Sequence, residues 1–92
     1  MYQVTLPCKP GATVFYVETL FDKSVVECRV DEFCVTQDGI YAILDQVKHG
    51  IVFRRIQGVK ISCFGVSVFF SPEEAKAKLL EHLKDNKAGV NR

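Results

Sequence analysis

The densest run of chemistry-bearing side chains is basic. Lys48, His49, Arg54, Arg55 and Lys60 fall between positions 48 and 60, with Tyr41 and Phe53 close by. Cationic groups beside an aromatic ring have a recognisable use: the cation holds a phosphate while the ring stacks on a base, the mode by which small barrels take single-stranded nucleic acid. If the run is a strand, Arg54 and Arg55 point to opposite faces, so one of them faces outward. The plain alternative is a strand whose solvent face is basic. The overall balance argues for that alternative, because Lys+Arg of 12 against Asp+Glu of 11 leaves a formal charge of +1. Coating of nucleic acid without regard to sequence draws on many displaced counterions and is excluded by that balance.

A second set of residues is apolar. The chain has seven Phe, three Tyr and no Trp in 92 residues, and a small domain leaves much apolar surface uncovered. Leu20 and Phe21 form an apolar pair at a strand end where solvent is expected. Such a pair can anchor a partner protein or close a dimer, and the competing reading is that it folds back over a barrel end. Phe15 and Tyr16 are strand neighbours, so they point to opposite sides.

Nucleophilic and acid–base chemistry finds little support. His49 sits in a Lys48-His49-Gly50 turn and His82 on the expected outer side of a helix, both ordinary places for a solvated histidine. No Gly-x-Ser-x-Gly elbow, phosphate-cradling loop or His-Glu-x-x-His run is present. Cys8, Cys28, Cys34 and Cys63 have five residues between their nearest pair, wider than the two to four that point two sulfurs at one zinc ion. Free thiols acting as small buried hydrophobes are expected, with Cys8 singled out only by its neighbour Lys9. The acids Glu18, Glu27, Asp31 and Glu32 read as solvent-facing charges rather than as a site. No catalytic residue, metal ligand or cofactor is therefore assigned, and the chain is read as a non-enzyme.

The elements that position these residues are short and β-rich. Between Leu6 and Phe70, runs of Val, Ile, Phe and Tyr are separated by Pro10-Gly11, Asp38-Gly39, His49-Gly50, Gly58 and Gly65. Strands are expected over Thr13–Thr19, Ser24–Thr36, Ile40–Leu44, Ile51–Ile56, Val59–Cys63 and Val66–Phe70. Within the long second run, Val26, Cys28 and Val30 alternate with Glu27, Arg29 and Asp31, so one face packs and the other is wet. After Glu32-Phe33 the phase shifts, which predicts a bulge or bend. Asp38-Gly39 predicts a hairpin loop over Gln37–Ile40.

Ser71-Pro72-Glu73-Glu74 predicts a helix start. Serine caps the free amides, proline suits the first helical position and Glu74 completes a capping box. Ala75, Leu79 and Leu83, with Leu80 alongside, supply the packing stripe, while Lys76, Glu81, His82 and Lys84 face out. The helix is expected over about 72–87, with Gly89 ending it and 89–92 a flexible tail. Apolar stretches such as Ile61–Phe70 fall short of the roughly 20 residues that span a bilayer, and the start lacks the pattern of a secretory signal, so no membrane contact and a cytoplasmic location are expected.

With these features in place, the chain resembles a family of small uncharacterised proteins of phages, prophages and mobile elements of Gram-positive, Clostridia-type gut bacteria. The resemblance is carried by Leu6-Pro7-Cys8-Lys9-Pro10-Gly11-Ala12-Thr13-Val14-Phe15-Tyr16, by Val26-Glu27-Cys28-Arg29-Val30, and by Gly65-Val66-Ser67-Val68-Phe69-Phe70-Ser71-Pro72-Glu73-Glu74-Ala75 with Leu79. Family members commonly carry Val-Gly-Asp where this chain has Pro10-Gly11-Ala12, so an acidic side chain at that turn is missing here. The resemblance implies a small β-rich domain with a C-terminal helix and implies no activity. A phage or prophage origin implies an accessory protein that acts by binding something in the host, an inhibitor of a host defence system being one form of it.

Together the residues predict a single domain over 1–88: a small antiparallel β-barrel or strongly bent sheet, Src-homology-3-like, with one C-terminal helix. The expected function is non-catalytic binding of a host or phage protein, with Leu20 and Phe21 as its anchors and self-association as one outcome. The alternative is a nucleic-acid-binding barrel using Lys48, His49, Arg54, Arg55 and Lys60.

Overall fold

The structure is a computed structural model, which describes residues 5–20 and 23–90, with side chains described as far as Lys84. Five strands form one antiparallel sheet: β1 (Thr13–Glu18), β2 (Ser24–Thr36), β3 (Gly39–Lys48), β4 (Ile51–Lys60) and β5 (Val68–Phe69). Their order is β4-β3-β2-β1-β5, so the first four are a meander and β5 returns to the free side of β1. A single 3-10 turn (Ile61–Cys63) and the helix α1 (Pro72–Val90) complete the fold. The expected mainly β architecture with one C-terminal helix is present, in its bent-sheet form. The sheet is not closed: β4 and β5 are its edges and do not pair with each other.

Both faces of the sheet are covered near β1, because side chains there alternate between two cores. On one face Val14, Val26, Cys28, Val30, Ala42, Leu44, Val59 and Val68 are buried together, with Tyr16, Phe33, Ile56, Cys63 and Phe64 packed against them. On the other, Val17 and Phe69 meet Ala75 of α1, with Phe15, Val25 and Leu79 around them. Phe15 and Tyr16 thus each find a core. Full burial of a side chain such as Leu44 contributes roughly 1.5–3 kcal/mol, so the first cluster dominates the hydrophobic term.

The expected phase shift in β2 is a bulge at Asp31. Val30 pairs with Leu44 and Glu32 with Ile43, so Asp31 is the extra residue. Inserting one residue returns Phe33 to the face of Val26, Cys28 and Val30, where it packs on the same core. Two more bulges interrupt β4. Gln57 and Gly58 together oppose Ile43, and Phe53 is the extra residue between the pairs Gln46–Arg54 and Val47–Val52. Gly58 adopts φ 78°, a conformation costly for any residue with a Cβ.

Several boundaries differ from the sequence reading. β3 runs on to Lys48, and Val59 and Lys60 extend β4 through the Gly58 bulge instead of starting a new strand. Ile61–Cys63 leaves the sheet as the 3-10 turn, and β5 keeps only Val68 and Phe69. The loop after β2 is Gln37 and Asp38, with Gly39 already paired to Thr36. The Thr36 hydroxyl accepts from the Asp38 amide at 3.1 Å and donates to the Gly39 carbonyl at 3.1 Å.

The helix begins as predicted. Ser71 Oγ accepts from the Glu74 amide at 3.2 Å and donates to Glu74 Oε1 at 3.1 Å, and Glu73 and Glu74 occupy the first turn where the helix dipole favours them. It ends later than expected, running through Lys87 and Gly89 to Val90. Leu80 is a correction: it lies on the outer side of α1, exposed to solvent, whereas His82 is half-buried. Among the described residues no helix is long and apolar enough to cross a membrane.

Candidate binding surface at the β3–β4 hairpin

The chain reverses between β3 and β4 through His49 and Gly50. Both take positive φ, 53° and 76°, as the two central residues of the hairpin turn whose twist matches that of the flanking strands. Histidine is one of the few residue types that enter this region readily, and glycine does so without a Cβ clash. His49 therefore makes the turn and stands exposed at its apex.

Pairing between β2 and β3 stops at Cys28–Gln46, whereas β3 and β4 stay paired to Lys48–Ile51. Residues 47–53 thus lie past the last β2–β3 pair as a two-stranded end, while β2 runs on beside β1. That end is apolar and wet: Ile51 is 70% exposed, Val52 48% and Phe53 65%. The bulge at Phe53 breaks the alternation, so three consecutive apolar side chains are all left in solvent. Lys48 Nζ lies 5.3 Å from the centre of the Phe53 ring, a cation–π distance.

The basic residues predicted as a set do not form one surface. Arg54 and Arg55 stand opposite Gln46 and Asp45, hence on opposite faces. Arg55 Nε donates to Asp45 Oδ1 at 3.0 Å, and Nη2 donates to Asp31 Oδ2 at 3.2 Å. The hydrogen bond and charge of Asp45, then the charge of Asp31, push the Arg55 guanidinium further up, so its charge is already engaged. Lys60 is at the far end of β4, with Nζ 5.9 Å from the Tyr41 ring. Lys48 and Arg54 take part in no ion pair among the described residues.

Leu20 is 80% exposed, and Phe21 lies outside the described residues. The sheet curls enough to bring the end of β1 towards β4 across the first core. There Tyr16, Glu18, Leu20, Arg54, Arg55 and Ile56 line an open cleft of about 240 Å³. That is smaller than the roughly 300–1,000 Å³ of most small-molecule sites. The two sets read separately from sequence, Leu20 from the apolar one and Arg54 and Arg55 from the basic one, therefore meet at one cleft. Glu18 is buried and accepts from the amides of Leu20 at 2.9 Å and Lys23 at 3.3 Å, which fixes the β1–β2 connection beside it.

The remaining titratable groups are scattered. Among the described residues no three of His, Cys, Asp and Glu gather as they would around a metal ion. All four cysteines are free thiols. Burial pushes the Cys28 thiol up to about 11, against the opposing charge of Arg54, and raises Cys8 as well. The Lys9 neighbour does not activate Cys8.

The apolar hairpin end was not legible as a candidate. Ile51-Val52-Phe53 reads like any strand interior, and only the bulge and the end of β2 pairing expose it. Compared with protein-family models, with curated proteins and with solved structures, the chain matches none.

Proposed function

We propose that this chain is a non-catalytic binding protein of phage or prophage origin that acts by contact with another protein. Its contact surface is the end of the β3–β4 hairpin, continued by the Leu20 rim of the neighbouring cleft. The observation that carries this reading is the row Ile51, Val52 and Phe53, exposed together on a two-stranded end past the last β2–β3 pair. Isolated apolar residues on a surface are ordinary, whereas a contiguous row that ends in an aromatic has the composition of an interface anchor. The origin rests on the resemblance of the Leu6–Tyr16, Val26–Val30 and Gly65–Ala75 segments and gives the partner its source, a host or phage protein.

Nucleic-acid binding is the less supported reading. It needs several free cations on one surface, and here Arg55 is held by Asp45 and Asp31 while Lys60 stands at the other end of β4. The aliphatic Ile51 and Val52 beside Phe53 suit a protein pocket better than a stacked base.

The test is affinity capture from a Clostridia-type host lysate with the intact chain and with its Phe53→Ser form, each with and without nuclease and at low and high salt. A protein retained by the first and lost from the second, independent of nuclease, supports the reading. Recovery of nucleic acid that salt removes, unaffected by the Phe53 change, overturns it.

A further inference from the structure

The charges around the hairpin end are one-sided. Lys48 and Arg54 flank the row Ile51, Val52 and Phe53, and His49 stands at the apex. Neither Lys48 nor Arg54 is ion-paired among the described residues, and Lys48 is held over the Phe53 ring. Their neighbour Arg55, by contrast, bridges Asp45 and Asp31. The nearest acid by register is Asp45, beside the Gln46 that pairs with Arg54, and it is already held by Arg55. Two cations without an ion pair among the described residues thus border an exposed apolar row.

From this we infer that the partner seated on the hairpin end presents an apolar pocket rimmed by carboxylates, an acidic protein segment and not a second copy of this chain. The inference rests on the protein-binding reading above and adds the partner's chemistry to it. Phe53, flanked by Ile51 and Val52, fills the pocket, and Lys48 and Arg54 meet acids at its rim. Complementary rim charges set the encounter rate and exclude wrong partners. Two copies joined by the same end face each other isologously, which brings Lys48 and Arg54 of one against the same cations of the other. Extension of the sheet by edge pairing is opposed by the bulges at Phe53 and at Gln57–Gly58 and by the consecutive Arg54 and Arg55.

The experiment selects a random disulfide-cyclised peptide display library on the intact chain, with the Phe53→Ser form as counter-selection. The expected binders carry an aromatic or aliphatic centre and a net negative charge. Their affinity falls about tenfold for the double variant Lys48→Glu/Arg54→Glu and falls again as salt rises from low to physiological strength. Both altered residues are exposed, and a thermal midpoint matching that of the intact chain shows that the double variant is folded. Binders that need Phe53 but carry no acidic bias, and that ignore the charge reversal, overturn the inference while leaving the protein-binding reading in place. Absence of any Phe53-dependent binder overturns both. A single-stranded dT20 oligonucleotide is tested in parallel by fluorescence anisotropy. Binding that depends on Lys48 and Arg54 and tolerates Phe53→Ser transfers the cations to nucleic acid and overturns the inference. Concentration-dependent self-association lost with Phe53→Ser overturns it in favour of a second copy.

Discussion

The Nε of Arg55 donates to Asp45 Oδ1 at 3.0 Å across the β3–β4 ladder, and Asp45 has only 4% of its side chain exposed. Register places Arg29 of β2 on the other side of the same carboxylate, so a nearly buried anion sits in a row between two cations from neighbouring strands. The second Arg55 bond, to Asp31 Oδ2 at 3.2 Å, ties β4 to the bulge in β2. One side chain thus links three strands.

Removing that link should cost stability, because a buried carboxylate without its partner is much worse than a pair never made. Arg55→Met is expected to lower the thermal midpoint clearly. Arg54→Met, on the opposite face with no ion pair among the described residues, is expected to leave it nearly unchanged. Differential scanning fluorimetry of the two variants side by side checks this. Equal midpoints would show that Asp45 is satisfied without Arg55.

The turn at His49 and Gly50 makes a second prediction. With His49 at φ 53°, a β-branched residue is strained, so His49→Val is expected to destabilise the chain by roughly 1–2 kcal/mol. His49→Gly or His49→Asn is expected to be neutral or slightly stabilising, since both types enter this region readily. Urea unfolding of the three variants separates a turn role for His49 from a chemical one. A histidine needed for chemistry would not tolerate asparagine.

Much of this fold is legible in the sequence because local signals agree with one another. Ser71, Pro72 and Glu74 specify the helix start together, and the phase shift read after Glu32-Phe33 announces a bulge or bend, which lies slightly earlier, at Asp31. The binding surface was not legible in the same way. The opposite directions of Arg54 and Arg55 follow from strand alternation, yet the capture of Arg55 by Asp45 depends on a cross-strand register that sequence does not carry. Phe53 looks buried until a bulge turns it out. Leu80 satisfies the helical stripe by spacing, but α1 meets the sheet along Ala75 and Leu79, and Leu80 lies beyond the width of that contact.

The Asp31 bulge is itself testable. Deleting Asp31, the extra residue, leaves a strict two-residue alternation through β2 that keeps Glu32 on the wet face and Phe33 towards the core. Loss of the Arg55 contact accompanies it. The deletion and Asp31→Asn are both expected to retain a cooperative unfolding transition at a lower midpoint, since each removes the carboxylate that Arg55 meets, and a transition lost in the deletion alone would show that the bulge itself is required. Circular dichroism melts of both distinguish a role in register from a role in charge.

The helix cap gives a prediction of known size. Ser71→Ala removes the acceptor for the Glu74 amide and is expected to cost about 1 kcal/mol, whereas Ser71→Asp keeps an acceptor and should cost little. Since Ala75 is fully buried against Val17 and Phe69, fraying of this first turn loosens the second core directly. Near-ultraviolet circular dichroism, read through Phe15 and Phe69, follows that packing. A Ser71→Ala form as stable as the original would show that the turn is held by Ala75 alone.

The burial of Cys28 predicts a loss of stability at alkaline pH. Burial holds its thiol protonated up to about 11, above the 9.0 of an unburied thiol, so the folded chain keeps a proton that the unfolded chain has already released. The unfolded state binds fewer protons in that window, and stability therefore falls as pH rises from about 9 towards 11. Below about 9 both states are protonated and Cys28 adds no pH dependence. Cys28→Ala is expected to lower stability at neutral pH through the small cavity it leaves, yet to flatten the decline between pH 9 and 11. Urea midpoints of the two chains across that range test the sign, and parallel declines would assign the alkaline loss to other groups. The same burial predicts that iodoacetamide at pH 8 modifies Cys28 only at the rate of unfolding, after the half-buried Cys34 and Cys63 have reacted.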